Sequence, residues 1–397
     1  MKYDFNKVYD RKNTSSTKWD GMKENFGKDD LIPMWIADMD FPVAEPIKKA
    51  IKSRADYPFY GYSKIKNSLI NVIVKRVWDK FQWRIEKEWI VFTPGVISGI
   101  NIAIRTVANS GDGIVIQQPV YHLFFSSIMN SGCQIVNNPL KFDNGNYEMD
   151  FKNLTEIAEE SKENGSKSKS IDAILLCNPH NPIGRVWRKE ELLELGKIAV
   201  KNDLFVISDE IHSEIIYKGY KHQPFASLSK EFEENSITSI SPSKTFNLAG
   251  LNVSSMIIPN KKIREKFKDT MAGIVSQPNI FALEAFEAGF KYGDPWLNDV
   301  LEYLQENLDF MINYFKDIKG IKPIRAEGTY LIWLDCRKLN LKQADLKDLM
   351  INDAKVGLED GTIFGDGGEG FMRMNIALPR SLLEEALRRI KTTVDKL

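Results

Sequence analysis

The sequence predicts an α/β protein with a mostly parallel central sheet and helices on both of its faces. Its 397 residues are 43% hydrophobic and 11% aromatic, enough to bury a large core in about two domains. Between about residues 89 and 260, short runs rich in Val and Ile alternate with longer amphipathic segments. Strands that are apolar on both faces and separated by helices of about ten or more residues are typical of such a sheet.

These elements can be placed in order along the chain. The predicted helices run from Val96 to Ala108 and from about Arg188 to Asn202, and the predicted strands are WIVFT (89–93), GIVIQQ (113–118), AILLCN (173–178), LFVIS (204–208), ITSIS (237–241) and VSSMII (253–258). The polar stretch SKENGSKSKS at 161–170 predicts an exposed loop. In such a sheet, ligands bind beyond the carboxyl ends of the strands, so the residues just after each strand are the candidates for function.

Composition excludes several classes of protein. Basic and acidic residues both number 54, so the chain lacks the positive excess of nucleic-acid or membrane-surface proteins. No apolar run approaches the ~18 residues of a membrane span, and the first residues are too charged for a signal peptide, so we expect a cytoplasmic protein. The three cysteines lie too far apart for a CxxC pair and predict buried apolar positions, with no disulfide framework and no metal site.

The predicted strands are followed by residues that suit an anion, a cation and a reactive amine. After WIVF, the turn TPGV begins a helix whose first amides, at Val96 and Ile97, have no intrahelical partner and suit an anion. After LFVIS comes Asp209, a carboxylate that is costly to bury unless a cationic or protonated group faces it. After ITSI comes SPSK, in which Lys244 is either a solvated charge or an amine held beside a phosphate by Ser241 and Ser243.

Together these strand ends match the needs of one ligand, pyridoxal 5'-phosphate (PLP). A helix N-terminus and two hydroxyls can hold its phosphate, an aspartate its protonated ring nitrogen, an asparagine its phenolic oxygen, and a lysine its aldehyde. Each motif alone is a weak signal, because a strand, a glycine turn and a helix are common in α/β proteins. Their order along the chain favours the PLP interpretation.

The chain resembles fold-type-I PLP enzymes of the class I/II aminotransferase superfamily, and within it the cystathionine β-lyase (C-S lyase) branch. The resemblance covers almost the whole chain and rests on the motifs MWIADMDF (34–41), YGYSK (60–64), TPGV (93–96), QQPVYHLF (117–124), NPHNPIGRVW (178–187), SDEIHSEI (208–215), SPSKTFNLAGL (241–251), EGTYLIWLD (327–335) and FMRMNIALPR (371–380). It implies an N-terminal segment (1–46) that joins a small C-terminal α/β domain (289–397), and a large PLP-binding domain (47–288). It also implies a homodimer with active sites shared across the interface.

The resemblance assigns catalytic and ring-binding roles to several residues. Lys244 is expected to bond covalently to the aldehyde and to act as the base at the substrate's Cα. Asp209 is expected to pair with the ring nitrogen, and Tyr121 to stack on the ring. Asn181 is expected to bond the phenolic oxygen, and His212 stands where many aminotransferases have a tyrosine with that role, although it could equally be structural.

The resemblance also assigns the phosphate and the substrate carboxylate. The phosphate is expected to meet the amides of Val96 and Ile97, the hydroxyls of Ser241 and Ser243, and a tyrosine from the second subunit. Tyr62 is preferred for that last role over its neighbour Tyr60. Arg373 is expected to bind the α-carboxylate of an amino-acid substrate through its planar guanidinium, together with Asn181.

One residue differs from the aminotransferase pattern, and two short motifs resemble a dinucleotide site and a metal site without meeting their requirements. Asn252 replaces the phosphate-binding arginine of the wider aminotransferase pattern, which favours the lyase branch and leaves the strength of cofactor binding open. GDGGEG at 365–370 has the letters of a dinucleotide fingerprint, but the alternating FMRMNIAL that follows predicts a strand where the fingerprint needs a helix. ADMD at 37–40 lacks further ligands at metal spacing, and we expect it near the substrate entrance.

The expected activity is α,β-elimination of cystathionine or related cysteine S-conjugates to thiol, pyruvate and ammonia. A PLP-dependent aminotransferase is the alternative, because both reactions begin with removal of the Cα proton and use the same residues. A non-catalytic or regulatory protein that keeps the fold is a third interpretation. Sequence alone does not specify the substrate side chain.

Overall fold

The computed structural model describes residues 3–164 and 170–397. In chain order its strands are β1 (Ile32–Pro33), β2 (Ile90–Thr93), β3 (Gly113–Ile116), β4 (Gln134–Asn137), β5 (Lys141–Asp143), β6 (Asn146–Glu148), β7 (Ile171–Cys177), β8 (Phe205–Asp209), β9 (Ser236–Ile240), β10 (Ser254–Ile257), β11 (Lys322–Pro323), β12 (Leu331–Asp335), β13 (Val356–Gly357), β14 (Glu359–Asp360) and β15 (Phe371–Asn375).

The helices connect these strands and flank the sheets. In chain order they are α1 (Thr17–Asp20), α2 (Met22–Phe26), α3 (Glu45–Asp56), α4 (Asn67–Phe81), α5 (Val96–Val107), α6 (Leu123–Asn130), α7 (Phe151–Asn164), α8 (Lys189–Lys201), α9 (Lys230–Glu234), α10 (Pro242–Thr245), α11 (Lys261–Met271), α12 (Ile280–Tyr292), α13 (Asp294–Phe315), α14 (Gln343–Asp348) and α15 (Arg380–Val394). Within the described ranges, none of these helices is long and apolar enough to cross a membrane.

A seven-stranded sheet forms the centre of the larger part of the molecule. Its strand order is β2-β10-β9-β8-β7-β3-β4, and β10 alone runs antiparallel to its neighbours. The predicted α/β class with a mostly parallel sheet is therefore confirmed, and the six predicted strands all belong to this sheet. The seventh strand, β4, was not predicted, since its residues are exposed or half-buried and lack the continuous apolar run of the others.

The predicted helices agree with the structure, but the predicted loop is partly wrong. The two helices predicted from Val96 and Arg188 match α5 and α8 to within one residue at each end. α7 continues to Asn164, so the first part of the loop predicted at 161–170 is helical, and residues 165–169 lie outside the described ranges. The buried side chains of Leu154 and Ala158 give α7 an apolar face that anchors it to the core, which the polar composition of its end did not indicate.

A smaller antiparallel sheet lies toward the C-terminus. Its order is β11-β12-β15-β14, and its central pair places Trp333 opposite Arg373. The N-terminal strand β1 pairs in parallel with β13, so the beginning of the chain packs against its C-terminal part. The two sheets lie in the two parts that the sequence predicts as separate domains, and the boundaries of those domains stay a prediction.

Candidate active site

A cavity of about 250 Å³ lies where β2, β7, β8 and β9 end and the antiparallel strand β10 begins. This is the edge of the sheet that the strand-end rule identifies. Eight of the residues singled out from the sequence line this cavity: Val96, Ile97, Tyr121, Asn181, Asp209, His212, Ser243 and Lys244.

One end of the cavity is an anion cradle at the start of α5. Gly95 precedes the helix with a φ of 96°, a backbone conformation that favours glycine. The first intrahelical bond runs from the amide of Gly99 to the carbonyl of Gly95, at 3.2 Å, which leaves the amides of Val96 and Ile97 without intrahelical acceptors. Asn252 lines the same end, in place of the arginine expected in aminotransferases. The cradle therefore offers neutral donors and the positive end of a helix to an anion.

Asp209 is a buried carboxylate at the end of β8. Its two side-chain hydrogen bonds, from the amide of Ile211 at 3.2 Å and the hydroxyl of Ser239 at 3.1 Å, both go to Oδ1. Burial raises the pKa of Asp209 to about 6. An acid with this environment favours a protonated or cationic partner at its second oxygen.

Lys244 lies in the short helix α10, behind β9. Its Nζ donates a 2.7 Å hydrogen bond to the carbonyl oxygen of Ala37, and burial lowers its pKa to about 8. Lys244 is therefore a buried, hydrogen-bonded amine and not a solvated surface charge. An amine with a lowered pKa is a better nucleophile and a better base near neutral pH.

Tyr121 and His212 bring two neutral rings to the cavity wall. Burial raises the pKa of the Tyr121 phenol to about 12 and lowers the pKa of the His212 imidazole to about 3, with the Lys244 and Arg373 cations adding to the effect on His212. Nδ1 of His212 is buried and has no hydrogen-bond partner within the described residues. Both side chains therefore present uncharged aromatic rings with polar atoms to a ligand.

Arg373 is buried on β15 directly behind Asn181. Its Nη1 donates to the Asn181 side-chain oxygen at 3.0 Å, and its Nη2 donates to the carbonyl of Trp35 at 2.7 Å. The Glu359 carboxylate lies 3.4 Å from Nη2, and Nε has no partner within the described part of the chain. The guanidinium is thus fixed in direction and keeps a free donor.

Three candidate residues do not line the cavity wall: Ser241, Tyr62, and Arg373, which lies behind Asn181. Ser241 caps α10: its hydroxyl donates to the carbonyl of Val253 at 2.6 Å and accepts from the amide of Ser243, so it supports Ser243 from behind. Tyr62 is fully exposed on the loop before α4 and lies outside this chain's cavity. That Tyr62 serves a second subunit stays a prediction.

Several further wall residues received no role in the sequence analysis, among them Cys177, Ile211, Ser98 and Ala37. Cys177 and Ile211 could have been found, because one ends β7 and the other follows Asp209 by two positions. Burial raises the pKa of the Cys177 thiol, which keeps it protonated. Ser98, in the first turn of α5, could also have been inferred from the cradle. Ala37 carries no such signal, since it contributes a backbone carbonyl from a distant segment.

The GDGGEG (365–370) and ADMD (37–40) motifs have structural roles. The loop 365–370 leads into strand β15, and the amide of Asp366 donates to the Gln118 side chain at 2.6 Å. In the ADMD motif, Asp38 and Asp40 both form ion pairs with Arg11, and Asp40 also pairs with the fully buried Lys18. These contacts anchor the N-terminal segment beside Lys244.

The residues present fit PLP. An amide cradle and the Ser243 hydroxyl suit a phosphate, a buried carboxylate suits a pyridinium, and an amine of lowered pKa suits an aldehyde. The unpartnered buried Nδ1 of His212 and Nε of Arg373 are donors or acceptors that the folded chain leaves available at this site.

Both the sequence and the fold of this chain are similar to those of known proteins of one family. The family model described as aminotransferase class I and II matches residues 30–390. Cystathionine β-lyase PatB of Bacillus subtilis (strain 168) is 38% identical over 98% of this chain and 99% of that protein. Cystalysin of Treponema denticola, whose crystal structure contains a PLP cofactor, superposes with a TM-score of 0.94 at 34% identity and covers 100% of both chains. A PLP-bound protein from Clostridium difficile 630, provisionally assigned as an aminotransferase, gives a TM-score of 0.94 at 42% identity over 99% of this chain and 100% of the other.

Proposed function

We propose that this chain, which belongs to the aminotransferase class I and II family, is a PLP-dependent C-S lyase that acts on cystathionine or related cysteine S-conjugates. The reaction consumes water and releases a thiol, pyruvate and ammonia. The observation that carries the proposal is the meeting of Lys244, Asp209 and the α5 cradle in one cavity, in a chain similar over its whole length to a cystathionine β-lyase.

PLP, when bound, supplies an aldehyde for the substrate amine and an electron-withdrawing ring that stabilises negative charge at Cα. The amides of Val96 and Ile97 and the hydroxyl of Ser243 hold its phosphate. Asp209 holds a proton at the ring nitrogen, which keeps the ring cationic. Tyr121 and Ile211 contribute apolar surface to the cavity that receives the ring.

Lys244 moves the substrate proton. Its pKa of about 8 leaves a substantial fraction of neutral amine at physiological pH, whereas an ordinary lysine is almost wholly protonated there. A neutral amine can accept the Cα proton, and the ammonium that forms can return it to a leaving group. The burial that lowers the pKa therefore prepares Lys244 for both directions of proton transfer.

Arg373 and Asn181 bind the substrate's α-carboxylate. A guanidinium binds a carboxylate through parallel hydrogen bonds, and Arg373 is held in place by Asn181, Trp35 and Glu359. Binding of the α-carboxylate by Arg373 and Asn181 selects amino acids as substrates. It does not recognise the part of the substrate side chain beyond Cβ.

A homodimer is part of the proposal. The loop before α4 exposes four aromatic side chains, Tyr57, Phe59, Tyr60 and Tyr62, beside a surface cavity of about 380 Å³. Exposed aromatic patches of this kind mark interaction surfaces. The Tyr60 hydroxyl already donates to the carbonyl of Ala55 at 2.6 Å, whereas the Tyr62 side chain extends into solvent, which supports Tyr62 as the residue given to the partner's phosphate site.

The decisive assay uses the purified holoprotein with cystathionine. We expect free thiol and pyruvate to appear together without any added keto acid, and both to vanish in Lys244→Ala. Amino-group exchange that depends on a keto acid, with no thiol release, would identify an aminotransferase instead, the activity suggested for the Clostridium difficile protein. A protein that binds PLP and turns over neither substrate would contradict both activities.

A further inference from the structure

The segment 35–38 contacts both of the cationic residues that the proposed reaction needs. The carbonyl of Trp35 accepts a hydrogen bond from Nη2 of Arg373, and the carbonyl of Ala37 accepts one from Nζ of Lys244, each at 2.7 Å. Two alternate backbone carbonyls of one short segment are thus bound to an arginine of the small sheet and a lysine of the large part. A fixed segment would set the distance between those two side chains.

One side chain, that of Asn375, binds both of the other two carbonyls of the segment. Nδ2 of Asn375 donates to the carbonyl of Ile36 at 2.7 Å and to the carbonyl of Asp38 at 2.8 Å. The Asn375 side chain is fully buried at the end of β15, two positions after Arg373, and its own oxygen accepts from the amide of Ala377 at 2.7 Å. Both hydrogen bonds that this amide donates therefore hold the segment to β15, and its oxygen is bonded to the chain just beyond the strand.

The N-terminal residues hold the segment from the opposite side. Nζ of Lys18 donates to the carbonyl of Asp38 at 2.9 Å and pairs with Asp40 at 2.7 Å. Arg11, about one quarter exposed, binds the carboxylates of Asp38 and Asp40 and the carbonyl of Met39. Since buried ion pairs are costly unless well bonded, this cluster indicates a segment selected for one conformation.

We propose that Asn375 is a positioning residue that sets Lys244 and Arg373 in register with each other through the 35–38 segment. It does not line the cofactor cavity, and it acts by fixing the carbonyls of Ile36 and Asp38, which alternate along the segment with the carbonyls of Trp35 and Ala37 that bind those side chains. The part that concerns Arg373 and substrate rests on the proposed lyase function, whereas the part that concerns Lys244 applies to the protein without cofactor.

A matched control stands close by in the same fold. Asn307 on α13 is also fully buried, and its Nδ2 donates to the alternate carbonyls of Ile376 and Leu378, both at 3.0 Å. Its oxygen likewise accepts one bond, from Nε of Arg380 at 2.8 Å. Asn307→Ala and Asn375→Ala thus remove the same number of side-chain hydrogen bonds at equal burial, but the Asn307 bonds hold a different segment.

The test measures the titration of Lys244 in the apoprotein, by acetylation with acetic anhydride at a series of pH values and mass spectrometry of the Lys244 peptide. In Asn375→Ala, the loosened Ala37 carbonyl stabilises the ammonium less, whereas the Asp38 carboxylate stays paired with Arg11 and the charges of Arg373 and Asp209 remain. We expect the midpoint to fall by about half a pH unit or more relative to both the wild type and Asn307→Ala. A midpoint that is unchanged or raised, or an equal fall in Asn307→Ala, overturns the proposal.

Two further measurements complete the test. In the holoprotein, Asn375→Ala should raise the Michaelis constant for the amino-acid substrate several-fold more than Asn307→Ala does, and an equal effect removes Arg373 from the proposal. If Asn375→Ala does not fold, Asn375→Ser keeps one donor and one acceptor at the same position and should lower the Lys244 midpoint in the same direction by a smaller amount. Because acetylation needs neither cofactor nor turnover, failure of the lyase assay leaves the Lys244 result readable.

Discussion

The side-chain oxygen of Asn181 accepts a 3.0 Å hydrogen bond from Nη1 of Arg373. Asn181 follows β7 of the large sheet, and Arg373 lies on β15 of the small sheet, so this bond joins the two parts of the molecule at the cavity. The expected site for the cofactor's phenolic oxygen and the expected site for the substrate carboxylate therefore share one hydrogen-bonded pair.

The first prediction concerns Arg373. Arg373→Lys should raise the Michaelis constant for cystathionine by roughly 10- to 100-fold with a smaller effect on kcat, because a lysine keeps the charge next to Glu359 but loses the planar fork that binds a carboxylate. Steady-state kinetics check this. Arg337→Lys, on a half-exposed arginine that pairs with Asp335 near the same sheet, is the control and should leave both constants near wild type.

The second prediction concerns Lys244. Borohydride reduction of the holoprotein should attach the cofactor covalently at Lys244, and mass spectrometry of the digested protein should find it on that peptide. Lys244→Ala should show no attachment and lose at least about 1,000-fold in thiol release. Lys262→Ala, on the exposed face of α11, should behave as wild type. Attachment at another lysine would contradict the assignment.

The third prediction concerns the pH dependence of apoprotein stability. Because burial raises the pKa of Asp209 from 3.8 to about 6, the folded state holds a proton there between about pH 4 and 6 that the unfolded chain has released. The stability contributed by this group is therefore present at low pH and is lost as the pH rises through that range. Asp209→Asn lacks the group, so the variant should gain about 2 to 3 kcal/mol relative to wild type between pH 4 and pH 7.

Urea unfolding of both apoproteins at pH 4 and pH 7 measures this difference. A difference in unfolding free energy that stays constant with pH would show that the carboxylate is not destabilised by burial. In the holoprotein the same substitution should lower thiol release by about 100- to 1,000-fold, because the ring nitrogen loses the partner that keeps it protonated.

The fourth prediction concerns Tyr62 and the second subunit. Tyr62→Phe should weaken PLP binding by about tenfold, since one hydrogen bond to a charged phosphate is lost. Tyr60→Phe removes the hydroxyl that already bonds Ala55 in its own chain and should leave PLP binding unchanged. Equilibrium dialysis of PLP against both variants measures the effect, and equal affinities would reject the preference for Tyr62.

A mixing experiment tests whether the site is shared. Tyr62→Ala and Lys244→Ala, unfolded and refolded together, should regain activity at limiting PLP, because a mixed dimer has one site with an intact lysine and a tyrosine from its partner. Separate refolding of the two variants should give less activity than the mixture. An active monomer by sedimentation would contradict the shared site.

Much of the site could be predicted from sequence because its chemistry lies at strand ends. Asp209 and Lys244 each follow an apolar run directly, and the α5 cradle needs only a glycine turn between a strand and a helix. These are local relationships, and the parallel sheet brings them to one edge without further information. Sequence did not indicate that the Ser241 hydroxyl caps α10, and its expected contact with the phosphate stays a prediction.

The sequence by itself determined the α/β class, the positions along the chain of the strands that end at the cavity, and the chemical type of the residues expected there. Tertiary structure decided that the carbonyls of Trp35 and Ala37 support Arg373 and Lys244, and that Asn375 holds the segment between them. The physical reason is that side-chain type and periodicity are written locally, whereas a backbone carbonyl is the same in every residue. Only the packing of the N-terminal segment against β15 and α10 selects which carbonyl meets which donor.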